Sequence, residues 1–188
     1  MWLTIQVNAM PGDYVLTTER LGLRLWKQED ILPFAAMNAD AEVMRYFPST
    51  LTYEDTVAMV QRIQLHFEKH GFGLFALEEL STQQFIGFTG FMIPSFTSFF
   101  TPCIEIGWRL QRSSWNKGYA TEASKACLEY GFETLSFKKI FSFTSSLNKR
   151  SEKVMQRIGM IKYGEFDHPN IELTNPLCHH VIYMSEKN

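Results

Sequence analysis

Residues 104–123 read IEIGWRLQRSSWNKGYATEA and pass through three kinds of pattern. Cys103 to Leu110 is an apolar run of strand length. Gly107 lies inside it, and a glycine within a strand marks a bulge or a close approach by another backbone. Gln111 to Lys117 is polar loop. From Gly118 onward a helix is expected, with Ala120, Ala123, Cys127 and Tyr130 on a small-residue face that lets it lie close against a sheet. A helix start leaves its first N–H groups unpaired and carries partial positive charge. Such a strand, loop and helix start can hold a phosphate through the backbone alone, and Gly118 has no Cβ to obstruct it. Every helix has a start, however, so this stretch gains weight only from what surrounds it.

Downstream, KIFSFT at 139–144 is a strand. Asn148 then caps a helix carrying Val154, Met155 and Ile158 and closed by Gly159. If the strands at 103–110 and 139–144 are parallel neighbours, both helix starts face one cleft at the carboxyl ends of the strands, where ligands in α/β sheets bind. Charge concentrates there too. Residues 109–162 carry 11 Lys/Arg against 4 Asp/Glu, a surplus of +7, while the remainder carries 7 against 16, or −9. A positive field in an otherwise acidic chain suits a small polyanion.

Upstream, Leu21, Leu23 and Leu25 alternate with Gly22, Arg24 and Trp26, as in a strand. Lys27 to Met37 is a short helix, with Pro33 tolerated near its first turn. Ala41 to Tyr46 is expected to add another helical turn or two. Thr52 to His70 is a longer helix with a Thr52/Asp55 capping box and an apolar stripe of Met59, Val60, Ile63 and Phe67. FGLFALE (72–78) and FIGFTGFMI (85–93) form a hairpin, and Met160–Phe166 and His180–Ser185 are the last strands. The order predicts an α+β fold with one mixed, mostly antiparallel sheet. Residues 1–15 are expected to form an arm or an extra strand, and residues 16–188 a single domain.

Composition excludes several classes. The chain has 188 residues, 45% of them hydrophobic and 20% charged, enough for one well-formed core. Sixteen phenylalanines are too many for surface display. A net charge of −2 argues against a general nucleic-acid binder. There is no apolar run of membrane-spanning length and no secretory leader pattern. Cys103, Cys127 and Cys178 are widely spaced, which suits free thiols in a reducing cytoplasm. His66 and His70 stand at i and i+4, but the glutamate of a zinc-peptidase helix is misplaced, so no metal is expected. Neither GxxxxGK[ST] nor an early GxGxxG is present.

From Leu16 to the end the chain resembles the GNAT superfamily of acyl-CoA-dependent N-acetyltransferases, and within it the branch of ribosomal-protein N-terminal acetyltransferases. Four stretches carry the resemblance: LTTERLGLRLW (16–26), IEIGWRL (104–110), WNKGYATEA (115–123) and NKRSEKVMQRIGM (148–160). The family's pyrophosphate loop, Q/R-x-x-G-x-G/A, has Trp115 at its first position, Gly118 at its fourth and Ala120 at its sixth. The resemblance implies acetyl-CoA as co-substrate. Its pyrophosphate would lie on the amides of Asn116, Lys117, Gly118, Tyr119, Ala120 and Thr121. Its pantetheine would pair with the backbone of Trp108, Arg109 and Leu110, with Asn148 in contact nearby. The acceptor would be a small amine or a peptide N-terminus, bound by a monomer or homodimer with no nucleic acid or membrane partner.

For the chemistry, the resemblance points to Glu105 as general base, or as a group that orients the acceptor or pairs with Arg109. A backbone N–H at a bulge around Gly107 would meet the oxyanion. Many members place a tyrosine seven residues after the helix-capping asparagine; here that residue is Met155, which has no proton to give. Ser151, three residues into the helix, could hydrogen-bond the departing sulfur or serve only as a local cap. Met155 in place of tyrosine keeps open a non-catalytic acyl-CoA-binding module. His168 is a further candidate for acceptor contact.

Overall fold

A computed structural model describes residues 14–187. The arm or strand expected over residues 1–15 therefore lies, up to residue 13, outside the described residues. The strands are β1 (Leu16–Thr17), β2 (Leu21–Arg24), β3 (Leu74–Glu79), β4 (Gln84–Met92), β5 (Glu105–Leu110), β6 (Lys139–Ser145), β7 (Ile161–Asp167) and β8 (His179–Glu186). The helices are α1 (Ile31–Ala39), α2 (Tyr53–His70), α3 (Tyr119–Glu133) and α4 (Lys149–Arg157). One sheet holds all eight strands in the order β1-β2-β3-β4-β5-β6-β8-β7. Every neighbouring pair is antiparallel except β5 and β6, which are parallel and meet at the single register pair Glu105↔Phe141. The mixed sheet anticipated from the element order is thus present, and it opens along one seam.

Alternation along the strands sorts side chains onto two faces. On one face Ile106, Leu110, Ile140 and Tyr183 pack with Ala123 and Cys127 of α3 and Met155 of α4. On the other, α1 and α2 cover the β2–β4 half through Trp26, Phe34, Val60, Ile63, Phe85 and Phe88. A third cluster of Phe100, Phe141, Phe166 and Ile182, flanked by Phe96 and Phe143, covers the β6–β8 half. Met92, Glu105 and Phe141 are successive register partners and share this second face. The uncovered ground between the two aromatic clusters is therefore the second face of β5.

Some expectations change. The capping box forms, with the Thr52 side chain accepting from the Asp55 N–H and Asp55 from that of Thr52. Ala41 to Tyr46 forms turns rather than a helix. All four residues of β2 are buried because both faces of the strand are covered, and Leu25 lies beyond the strand end at 41% exposure. Arg24 is 3% exposed and held by Asp30 and Glu78, both at 2.7 Å. No bulge occurs at Gly107: the β4–β5 register runs unbroken from Leu110 to Glu105, and the register shift falls between Leu77 and Glu78 instead.

Candidate active site

The start of α3 has no side-chain cap. Glu122 donates its N–H to Gly118 O at 3.0 Å, but the amides from Asn116 to Thr121 have no acceptor among the described residues. Gly118 is the N-cap at φ +83°, and Asn116 also sits in the left-handed region at φ +61°. These two residues turn the chain so that the free amides gather at the helix start, a concave set of donors at the positive end of the α3 dipole. The side chain of Tyr119 does not take part; its hydroxyl reaches Glu79 in the protein body. Lys117 is exposed and holds its ammonium 5.6 Å from the Tyr119 ring centre.

Contacts remote in sequence hold this turn. Arg20 grips Glu122 through Nε at 2.8 Å and Nη2 at 2.5 Å, and donates from Nη1 to Lys117 O at 3.0 Å. Thr18 donates to the same glutamate at 2.6 Å. This clasp is not legible in the sequence, because the partners are 102 and 104 residues apart and no spacing rule connects them. Trp115 donates its indole N–H to Leu110 O at 2.9 Å, tying the loop to the end of β5. Arg150, in the first turn of α4, lies 4.8 Å over the Trp115 ring. The two helix starts thus meet at one mouth, as expected for a parallel β5–β6 pair.

The seam itself follows from hydrogen-bond parity. Gln111 donates to Ile86 O at 2.9 Å, which makes their register a bonded pair. Alternation then turns the backbone groups of Glu105, Gly107 and Arg109 toward β4, and those of Ile106, Trp108 and Leu110 the other way. Phe141 donates to Ile104 O at 2.8 Å, and pairing with β6 stops at Glu105. Trp108 and the Leu110 N–H therefore line the open seam, whereas the backbone of Arg109 is engaged in the sheet. The amide nearest Glu105 that faces the gap belongs to Trp108, not to Gly107.

Glu105 is half-buried and has no hydrogen-bond partner among the described residues. Burial alone pushes its pKa from an ordinary 4.5 up to about 8. It does not pair with Arg109. Its carboxylate leans over Gly107, where Oε1 is 3.8 Å from the position a Cβ would take and nothing else comes within 4 Å. Glu105 and Arg109 lie on the same face of β5, four residues apart, over this gap.

On the α4 side, the Asn148 Oδ1 accepts from the Ser151 N–H at 3.2 Å and its Nδ2 donates to Thr144 Oγ1 at 3.1 Å. The Ser151 hydroxyl is left with no partner among the described residues, so it is not spent on capping. Met155 is fully buried in the core. The histidines have structural surroundings. His66 bridges Phe72 O at 2.8 Å and the Ile93 N–H at 3.3 Å, and His168 packs against Phe96 with ring centres 4.7 Å apart. No group of three or more potential metal ligands occurs among the described residues. No helix among them is long and apolar enough to cross a membrane.

A sheet opened at one parallel pair, with an uncapped helix start at its mouth, is the architecture of acyl-CoA-dependent acyltransferases, and comparison with known proteins narrows the class. The acetyltransferase (GNAT) domain model matches residues 20–161, and the chain belongs to this family of N-acetyltransferases. It is 33% identical over 153 residues to the uncharacterized N-acetyltransferase YnaD of Bacillus subtilis, covering 80% of this chain and 85% of that one. Among solved structures it is similar to a GNAT-family acetyltransferase from Bacillus anthracis, with a TM-score of 0.75 and 28% identity, over 90% of this chain and 96% of the other. It shares the fold of the ribosomal-protein-S5-alanine acetyltransferase of Vibrio fischeri at a TM-score of 0.73 and 18% identity, over 93% and 97% of the two chains.

Proposed function

We propose that the protein transfers the acetyl group of acetyl-CoA to a primary amine, a small molecule or a peptide N-terminus, by direct attack within a ternary complex. The observation that carries this reading is Glu105, a carboxyl without a partner among the described residues, whose pKa burial pushes up to about 8 at the edge of an open seam. A base is most useful when its pKa lies near the working pH. A half-buried carboxyl with only a structural duty would more commonly be paired.

Acetyl-CoA fits the residues present. The unpaired amides at 116–121 match a pyrophosphate, and the surplus of +7 over residues 109–162 suits its further phosphate. The free ladder groups of Trp108 and the Leu110 N–H would pair with the amide-bearing pantetheine arm as a neighbouring strand would. Asn148 already uses both ends of its side chain within the protein, so we assign it chiefly to shaping the α4 start.

Glu105 takes one proton from the incoming ammonium, directly or through water. The freed nitrogen attacks the thioester carbon, and the Trp108 N–H is the donor best placed for the oxyanion. As the C–S bond breaks, the second proton of the attacking nitrogen passes to the departing thiolate, which the Ser151 hydroxyl steadies by a hydrogen bond. A thiol has an unperturbed pKa of about 8.5, so the thiolate leaves with modest help, and the loss of a tyrosine at Met155 is tolerable.

Thiol release from acetyl-CoA over a panel of amines and peptides, with detection of the acetylated product, tests the proposal. Binding of acetyl-CoA without turnover across a broad panel would leave a non-catalytic acyl-CoA-binding module, the reading favoured by Met155. Absence of any thermal stabilisation by acetyl-CoA would defeat both.

A further inference from the structure

The two arginines whose side chains enter the protein interior are treated very differently. Arg24 meets two carboxylates at 2.7 Å. Arg109 meets none. Its Nη1 donates to Oδ1 of the fully buried Asn38 at 2.6 Å, its Nε is buried with no partner, and its Nη2 has no hydrogen bond among the described residues. Asn38 is itself fixed by donating to Thr56 Oγ1 at 3.1 Å. The guanidinium is sandwiched between Phe47, 4.2 Å from the ring centre, and Phe88, at 5.5 Å. Aromatic faces steady a cation, but they do not neutralise it. Burial without a counter-charge lowers its pKa to about 10.

Four residues away on the same face stands Glu105, likewise without an oppositely charged partner among the described residues. The strand rise of about 3.4 Å per residue sets their Cα atoms roughly 14 Å apart, and the glycine between them leaves the floor of the gap bare. A desolvated guanidinium and a desolvated carboxyl, neither paired with an opposite charge among the described residues and with bare backbone between them, form an arrangement that a ligand carrying an anion and an amine would complete.

We propose that the acceptor is a zwitterion, a primary amine with an anionic group several bonds away, and that Arg109 is the specificity residue that binds the anionic end while the amine faces Glu105. This rests on the acetyl-transfer reading for the identity of the reacting end. Glu105 and Arg109 form no ion pair with each other, so the two ends of the acceptor must be held apart, which an ω-amino acid does better than an α-amino acid, whose nitrogen and carboxylate share one carbon. Asn38 holds Nη1 in place and leaves Nη2 for the ligand, so Asn38 acts on the acceptor through Arg109.

The test compares ω-amino carboxylates from glycine to 6-aminohexanoate with their neutral carboxamides, and with diamines of similar length, in thiol-release assays on the wild-type protein. An aminoalkyl phosphate arm separates carboxylate from phosphate as the anion. A charge-assisted contact predicts a KM about 10- to 100-fold lower for the acid than for its amide at the optimal length, with glycine poor and diamines poorer than acids. In Arg109→Gln that acid-to-amide difference collapses, Arg109→Lys restores part of it, and the KM for acetyl-CoA is unchanged. The wild-type comparison stands even if a variant does not fold. Calorimetric binding of the same acids and amides to the CoA-loaded protein gives a reading independent of turnover. Tighter acid binding without turnover would support the anion site while defeating acetyl transfer. Equal KM for acid and amide would overturn the anion site while leaving acetyl transfer intact. Failure of every anionic amine to react or bind, or an Arg109→Gln effect confined to acetyl-CoA, would overturn it as well.

Discussion

Replacing Glu105 with glutamine separates its catalytic role from its cost to stability. With a pKa of about 8, roughly one tenth of the side chain is ionised at pH 7. For the wild type, kcat/KM should therefore rise about tenfold from pH 7 to its plateau. Glutamine keeps the shape and removes the base, so activity should fall about 10²- to 10⁴-fold. The limb near pH 8 should vanish, leaving a rate that climbs only as the acceptor amine itself deprotonates. Stability should move the other way. The folded-state pKa lies above the ordinary 4.5, so the folded protein binds the extra proton. The ionisation penalty is absent below about pH 4.5, grows as pH rises toward 8, and at 1.36 kcal/mol per unit reaches at most about 5 kcal/mol. Glu105→Gln should thus melt near the wild-type temperature at pH 5 and several degrees above it at pH 8.5, since each kcal/mol is worth about 2–4 °C in a chain of this size. Stopped-flow or continuous thiol release across pH 5.5–9.5, with thermal melts at both ends, measures both effects. A variant that keeps the limb near pH 8, or that gains no stability at alkaline pH, would refute the assignment of an unpaired, desolvated carboxyl at this position.

Three further outcomes follow from the geometry. Gly118→Val places a β-branched residue at φ +83°, a strain of about 1–3 kcal/mol; titration calorimetry with acetyl-CoA should show affinity reduced about tenfold or more, against a salt-sensitive change within about threefold for Lys117→Ala. The reverse order would mean that the lysine, not the backbone, holds the phosphates. Ser151→Ala should lower kcat about two- to tenfold, the worth of one hydrogen bond to sulfur, with an unchanged melting temperature because the hydroxyl has no partner in the described protein; an unchanged kcat would remove it from the mechanism. Arg24→Ala leaves Asp30 and Glu78 buried without their cation, and should cost about 3–5 kcal/mol in chemical denaturation; a loss under 1 kcal/mol would show that the cluster relaxes into water.

Whether a feature could be read from the sequence depended on how far apart its interacting parts lie along the chain. The Thr52 capping box, the stop of α2 at Gly71, the cap of α4 by Asn148 and the glycine at the start of α3 involve groups a few residues apart, so spacing alone reveals them. The order of elements and the motifs of WNKGYATEA and IEIGWRL were enough to place the chain in its family and to point at Glu105 and the amide loop. The bulge expected at Gly107 failed for a local reason: a glycine in a strand signals that a side chain would be in the way or is missing, not which of several causes applies. Here it leaves the floor between a carboxyl and a guanidinium clear.

Longer-range features needed the folded chain. Which backbone groups face the seam depends on the β4–β5 register and on pairing with β6 ending at Glu105, and parity cannot be counted until the partners are known. The clasp of Arg20 on Glu122 and the contrast between Arg24, paired twice, and Arg109, paired with no acid, join residues from 6 to 102 positions apart. The pKa of Glu105 likewise reflects which aromatic clusters close in from either side. Short-range chemistry is written into neighbouring residues because a turn of helix or a strand repeat brings them together regardless of the rest; desolvation and charge pairing are set by whatever the whole chain packs against them.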